Sequence, residues 1–244
     1  MSEARFMRTK LLLGKEGVQK LKEATVMIVG LGAVGGYALE ALARAGVGNL
    51  ILVDFDKFDE TNINRQILAL SSTVGMAKTE VAAQRVREIN PDCNVRTCNV
   101  FVDAMTIPGL LSEQIDFVVD AIDSLSSKCL LIEELWRRNI PFITSMGAAL
   151  KTDVSTIKLS TLNKTEGCRL AKQVRQKLRQ KDVVLSEIVC VFSSEKNNIG
   201  VNAFGTTDNN NERRPMGALP TITGIFGLTM ANYVITQLSK AEFK

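Results

Sequence analysis

The stretch V-M-I-V-G-L-G-A-V-G, Val26 to Gly35, decides the fold. A short apolar run ends in Gly30, two more glycines follow at 32 and 35, and Ala33 to Ala45 is alanine- and leucine-rich with the length and spacing of a helix. Asn49 to Asp54 (N-L-I-L-V-D) is a second continuous apolar run bounded by glycine and acid, as suits a parallel strand covered on both faces. The unit is therefore βαβ. Its glycines let a phosphate approach the backbone at a helix N-terminus, and Asp54 falls where a carboxylate accepts ribose hydroxyls. A nucleotide site follows, but the choice of nucleotide does not, because a nicotinamide-dependent oxidoreductase uses the same arrangement.

Outward from this unit the alternation continues. A helix is expected near Lys78 to Ile89, stopped by Asn90-Pro91, then strands near Val95 to Val102 and at Phe117 to Ala121. A helix from about Ser126 to Arg138 and a strand from Pro141 to Met146 complete an α/β, Rossmann-like doubly wound, mostly parallel sheet, with ligands outside the strand C-termini. Beyond Lys151, strands at Thr156 to Leu162 and Ile188 to Ser193 flank a helix from Arg169 to Lys181, so C-terminal strands and helices extend the sheet. The chain reads as a single domain over 1–244, with a nucleotide-binding half at 1–150 and a substrate-facing half at 151–244. Residues 196–215 are polar and rich in Asn and Gly, and are expected to be a mobile loop. From Pro215 to Ser239 no residue is charged. Pro220, three glycines and several Thr, Asn and Gln favour a core or subunit-interface helix there, with membrane contact the alternative.

Composition removes several classes of chemistry. With 45% hydrophobic and 23% charged residues the chain can bury a substantial core. Cysteines at 93, 98, 129, 168 and 190 form no C-x-x-C pair and read as reduced, cytoplasmic thiols, and the N-terminus lacks the apolar core of a signal peptide. There is no histidine, so general acid-base catalysis by imidazole is excluded. Residues 1–150 carry 16 basic and 18 acidic side chains, and 151–244 carry 14 and 8. The basic second half suggests a polyanionic partner.

The nucleotide is chosen by three further motifs: D-F-D-K-F-D-E-T-N-I-N-R-Q at 54–66, V-G-M-A-K at 74–78 and D-A-I-D at 120–123. A polyphosphate reaction needs fixed cations and a metal ion against developing charge, which Arg65, Lys78 and a Mg²⁺ held by Asp123 would supply. Over nearly its whole length the chain resembles the ThiF, MoeB and HesA superfamily, bacterial relatives of the ubiquitin-activating enzymes. That resemblance implies ATP, with Asp54 on the ribose, Asn62, Asn64 and Arg65 around the phosphates, and Lys78 on the phosphates. The implied nucleotide-contacting set is Gly30, Gly32, Ala33, Gly35, Asp54, Asn62, Asn64, Arg65, Gln66, Lys78, Asp123 and Ser124, with Arg8, Arg65, Lys78 and Asp123 catalytic and Asp123 the metal ligand. The opening R-F-M-R-T-K-L-L-L-G, residues 5–14, is similar to a segment whose arginine, here Arg8, reaches the neighbouring subunit's ATP site, which implies a homodimer.

Sulfur-carrier activators of this superfamily hold zinc with two C-x-x-C pairs, and none is present. Instead S-M-G-A-A-L-K-T-D (145–153), C-R-L-A-K-Q-V-R-Q-K-L-R (168–179) and V-C-V-F-S-S-E (189–195) look like the tRNA threonylcarbamoyladenosine dehydratase branch. That implies a tRNA substrate, cyclised through its adenylate, and suggests a monovalent cation near Ser145 to Ala149 and a sulfur-transfer partner. Many members of the branch carry Asp-Pro where this chain has Cys168-Arg169. With no base beside it in sequence, Cys168 reads as a small apolar group rather than a nucleophile. Independently, residues 164–181 carry seven basic side chains and one acid. Leu170, Val174 and Leu178 are the expected buried stripe, leaving Lys164, Arg169, Lys172, Arg175 and Arg179 for nucleic-acid phosphates. An activator of a sulfur-carrier or ubiquitin-like protein, a nicotinamide-dependent oxidoreductase and a non-catalytic binding module are the competing readings.

Overall fold

The computed structural model describes residues 4–196 and 216–240. In chain order the elements are α1 (Met7–Glu23), β1 (Thr25–Val29), α2 (Gly35–Ala45), β2 (Asn49–Val53), α3 (Lys78–Ile89) and β3 (Asn94–Cys98). Then come α4 (Ile107–Leu110), β4 (Phe117–Asp120), α5 (Leu125–Arg137), β5 (Phe142–Ser145), β6 (Ile157–Thr161), α6 (Arg169–Arg179), β7 (Val189–Ser193) and α7 (Pro220–Leu238). One seven-stranded sheet runs β3-β2-β1-β4-β5-β7-β6, and only β6 is antiparallel to its neighbour. The strand order turns back at β1, which pairs with β2 on one side and β4 on the other. That crevice is where an open α/β sheet binds its ligand.

The continuous apolar strands bury both faces because alternate residues serve different layers. Val26 and Ile28 pack with α2, α3 and α7, whereas Met27 and Val29 pack with α4 and α5. A third cluster, with Cys129, Ile132, Val174, Leu178, Cys190 and Phe192, seats α6 beside α5 beneath β7. The sheet therefore crosses position 150 without interruption.

The uncharged C-terminal segment is a core helix. Ile222, Phe226, Met230 and Val234 of α7 are buried, and a Cβ on Gly227 would lie 2.3 Å from the Val34 carbonyl oxygen, so α7 crosses α2 almost at backbone contact. Among the described residues no helix is long and apolar enough to cross a membrane. The expected loop at 196–215 lies outside the described residues apart from Lys196.

Other expectations are corrected. The helix expected from Ala33 starts at Gly35, since Gly32 to Val34 are spent on the turn. The strand expected to reach Val102 stops at Cys98, because its single partner β2 ends at Val53 and offers no ladder beyond it. Residues 7–23 form a helix that the sequence reading missed, interrupted at Gly14 (φ +76°).

Candidate active site

The three glycines of the turn do different jobs. Gly30 donates its N–H to the Val53 carbonyl (2.8 Å), has φ +91°, and would place a Cβ 2.8 Å from the Ala121 oxygen. A Cβ on Gly35 would sit 1.8 Å from the Gly30 oxygen. Both allow close backbone approach, and Gly30 adopts a positive φ besides, so only glycine fits at either position. Gly32 is different, for the nearest atom to its Cβ position is in the Gln66 side chain at 3.8 Å. With half-buried Ala33, it borders open space at the start of α2, which no side chain caps.

Asp54 follows β2 directly. Its Oδ2 accepts the Leu31 N–H (2.7 Å) and its Oδ1 the Asp56 N–H (2.9 Å), so the carboxylate fastens the turn and still keeps a lone pair on each oxygen for ribose hydroxyls. Next, Asp59 caps a 3₁₀ turn, Glu60–Asn62, and accepts the Thr61 hydroxyl and N–H, which hold its carboxyl below the usual range. Asn62 is buried in this cap, and its carbonyl accepts the N–H groups of Arg65 and Gln66. Exposed Asn64 donates to the Ala218 carbonyl (3.3 Å), and half-buried Arg65 donates to the Thr61 carbonyl and to Asn64 Oδ1.

Lys78, the first residue of α3, is 6% exposed and has its Nζ 2.7 Å from Asp56 Oδ2. Asp56 lies two residues beyond Asp54, so this ion pair keeps the ammonium close to the end of β2. Gln66 is equally buried, and its Oε1, beside Gly32, has no hydrogen-bond partner among the described residues. An orphaned buried acceptor at an uncapped helix start is what a missing ligand leaves behind. The residues thus fit a nucleotide.

Beyond β4, Asp123 is exposed and has no hydrogen bond or ion pair among the described residues, and Ser124 occupies the N-cap position of α5 without a side-chain bond. Asp123 therefore does not cap α5. Among the described residues no three His, Cys, Asp or Glu side chains gather into a metal site. A hard cation here would rest on the Asp123 carboxylate with phosphate oxygens and water completing its shell, as Mg²⁺ prefers.

The basic helix is only partly as expected. Lys164, Arg169, Lys172 and Arg179 are exposed, but Arg175 is half-buried and its guanidinium donates to the Thr165 carbonyl (2.9 Å) and hydroxyl. The buried stripe is Ala171, Val174 and Leu178, with Leu170 half-buried, because the i, i+3, i+7 row rather than a strict four-residue row faces α5. Cys168 is the N-cap of α6, its Sγ accepting the Ala171 N–H at 3.4 Å. Arg8 is exposed on α1, on the α2 and α7 side of the sheet, with no partner among the described residues.

A family model for the ThiF family matches residues 4–244. The chain belongs to the ThiF family. It is 38% identical to a Bacillus subtilis tRNA threonylcarbamoyladenosine dehydratase over 241 residues, 96% of this chain and 94% of that one. The structure of the Escherichia coli tRNA N6-threonylcarbamoyladenosine dehydratase in complex with AMP superimposes with a TM-score of 0.87 at 34% identity, covering 97% of this chain and 94% of that one. Escherichia coli molybdopterin-synthase adenylyltransferase is 34% identical, but over 166 residues, 67% of this chain and 65% of the other.

This ThiF-family protein holds one group that reading the sequence missed. Under the 121–124 loop, Lys128 Nζ lies 2.6 Å from Asp120 Oδ2 and 3.0 Å from Thr144 Oγ1, and the Thr144 hydroxyl donates to the same Asp120 oxygen (2.6 Å). All three residues are fully buried. A signal was present: Lys128 stands three, four and seven residues before Leu131, Ile132 and Leu135, on the apolar stripe of α5, where a lysine needs a buried partner.

Proposed function

We propose that this chain is an ATP-dependent tRNA threonylcarbamoyladenosine dehydratase. The supporting observation is the reach of the likeness: dehydratases match both halves of the chain, including the second half with its basic helix, whereas the sulfur-carrier activator matches two thirds of it. The absence of C-x-x-C pairs in the sequence points the same way.

In this reading the threonylcarbamoyl carboxylate attacks the α-phosphorus of ATP, the bond to the bridging oxygen breaks, and pyrophosphate leaves. A nucleophile within the carbamoyl group then attacks the activated carbonyl, closing a five-membered ring as AMP departs with the carboxylate oxygen. Gly32 and the start of α2 receive the phosphates, and Asp54 accepts the ribose hydroxyls. Arg65 and Lys78 stabilise charge on the departing pyrophosphate, Lys78 exchanging Asp56 for phosphate oxygen. Mg²⁺ at Asp123 would neutralise phosphate charge. Because the second nucleophile belongs to the substrate, positioning suffices and no histidine is needed.

We assign Lys164, Arg169, Lys172 and Arg179 to tRNA phosphates, with Arg175 supporting the helix, and we assign Arg8 to the ATP site of a second copy in a homodimer. The whole chain is taken as one adenylation unit working in the cytoplasm. A monovalent cation near Ser145 to Ala149 and a sulfur-transfer partner carry over from resemblance alone, and no side chain is assigned to either.

The test is pyrophosphate release from ATP by the purified protein. Release should require tRNA bearing threonylcarbamoyladenosine. Release stimulated instead by a small carrier protein with a free C-terminal carboxylate would establish the sulfur-carrier or ubiquitin-like alternative.

A further inference from the structure

The D-A-I-D segment carries two carboxylates in opposite environments. Asp123 is exposed and has no partner among the described residues, and Asp120, three residues earlier, is fully buried. Asp120 divides its oxygens between two tasks. Oδ2 takes the Lys128 ammonium and the Thr144 hydroxyl, while Oδ1 accepts the N–H of Ile122 at 3.0 Å. Ile122 is the residue before Asp123, so the buried carboxylate grips the backbone that aims the exposed one.

The grip has little slack. Ala121 N–H bonds the Val29 carbonyl (2.8 Å), and the Ala121 oxygen lies so near Gly30 that no Cβ fits there. Lys128 sits on the first turns of α5, with its N–H on the Ser124 carbonyl (2.9 Å), and Thr144 sits on β5. Strand β4, strand β5, helix α5 and the 121–124 loop therefore meet at one carboxylate. Its charge is tolerated in the core only while the ammonium stays beside it.

We propose that Lys128 is a positioning residue of the adenylation site, holding the Asp120 carboxylate oriented so that the Asp120–Ile122 hydrogen bond sets the direction of Asp123 toward the metal-bound triphosphate. This rests on the reading of Asp123 given above. Removal of the ammonium frees the Asp120 carboxylate to turn, and turning releases the Ile122 N–H. An outer group that orients a metal ligand is typically worth about 10- to 100-fold in affinity.

Three variants of the full chain separate positioning from packing: Lys128→Met, Asp120→Asn with Lys128→Met, and Asp120→Leu with Lys128→Met. Asparagine restores neutrality and keeps an oxygen for the Ile122 N–H, whereas leucine restores neutrality without it. The readouts are calorimetric binding of a non-hydrolysable ATP analogue across a Mg²⁺ titration, and melting temperature. Lys128→Met should weaken Mg²⁺-dependent binding about tenfold or more. The asparagine pair should recover most of that loss, and the leucine pair should recover melting temperature but not binding. Equal recovery by the two pairs, or wild-type binding in folded Lys128→Met, overturns the proposal. Should Lys128→Met fail to fold, the two pairs alone decide between these results. Asp123→Asn distinguishes the premise: unchanged Mg²⁺-dependent binding there removes the role of Asp123 itself, whereas loss there with equal recovery by the pairs removes only the role of Lys128.

Discussion

At the C-terminal ends of β1 and β4, negative charge is to be met by backbone geometry, and along α6 it is to be met by free side chains. In the first region a Cβ on Gly35 would lie 1.8 Å from an oxygen, Asp54 is bonded to two N–H groups, and Lys128 is locked on Asp120. In the second, Arg169, Lys172 and Arg179 stand in solvent. The difference matches the tasks. A phosphoryl transfer tolerates little displacement of its cations, whereas a polyanion is gathered by long-range attraction that any exposed cation supplies.

If that contrast is sound, the largest effects lie in the rigid region. Gly35→Ala should abolish AMP formation and lower the melting temperature, because backbone must move to admit the methyl group. Gly32→Ala should keep the fold and lose ATP affinity instead, since its methyl meets only the Gln66 side chain, at an ordinary contact distance of 3.8 Å; equal melting losses in both would contradict the division of labour in the turn. Next come Arg65→Ala and Lys78→Ala, each expected to slow AMP formation about 10²- to 10³-fold, the scale of losing one fixed charge-stabilising group. Lys78→Ala should also lower the melting temperature, since it removes a buried stem and an ammonium over the Phe58 ring as well as freeing Asp56. Near wild-type rates in both variants would remove this ATP-site assignment.

Reversing charge at Arg169, Lys172 and Arg179 together should raise the apparent KM for tRNA about tenfold or more, flatten its salt dependence, and leave the KM for ATP unchanged. A change confined to ATP would place α6 outside the tRNA path. Arg175→Ala should act through melting temperature, because its guanidinium is engaged with Thr165.

Smaller effects concern the cysteines. Burial pushes the Cys93 and Cys190 thiols from 9.0 up to about 12. Between those values the unfolded thiols ionise and the folded ones do not, so the native state binds more protons and stability falls as pH rises through that window. Replacing both with Ala should reduce this slope in urea melts from pH 8.5 to 11; an unaltered slope would show that other groups set it. Cys168→Asp should stabilise α6 by about 0.5–1 kcal/mol, since a carboxylate is a better N-cap acceptor than sulfur. No gain, or a loss, would mean the thiol is held more by its packing against the cluster around Cys129 and Phe192 than by the cap.

The rigid region was also the more legible. Periodicity and glycine spacing give β1, α2, β2 and α3 almost to the residue, because continuous apolar strands and a glycine turn leave few alternatives. Motif spacing also named Asp54, Lys78 and Asp123, whose places in the fold agree with a strand-end site. What stayed hidden depends on neighbours distant in sequence. The buried charge of Asp120 is visible only once β4, β5 and α5 are packed together, and the tie of Arg175 to Thr165 only once the loop before α6 is folded. The end of β3 was set by where β2 stops rather than by its own residues. Helix α1 was missed because its first turns expose Leu11 and Leu12 and its interior carries Gly14, so no clean amphipathic stripe marks it.

The central claim is tested most directly by nucleoside mass spectrometry of tRNA carrying threonylcarbamoyladenosine after incubation with this protein, ATP and Mg²⁺. Loss of one water from that nucleoside, absent when ATP is omitted, is the predicted result. A threonylcarbamoyladenosine mass unchanged in the presence of ATP would contradict the account.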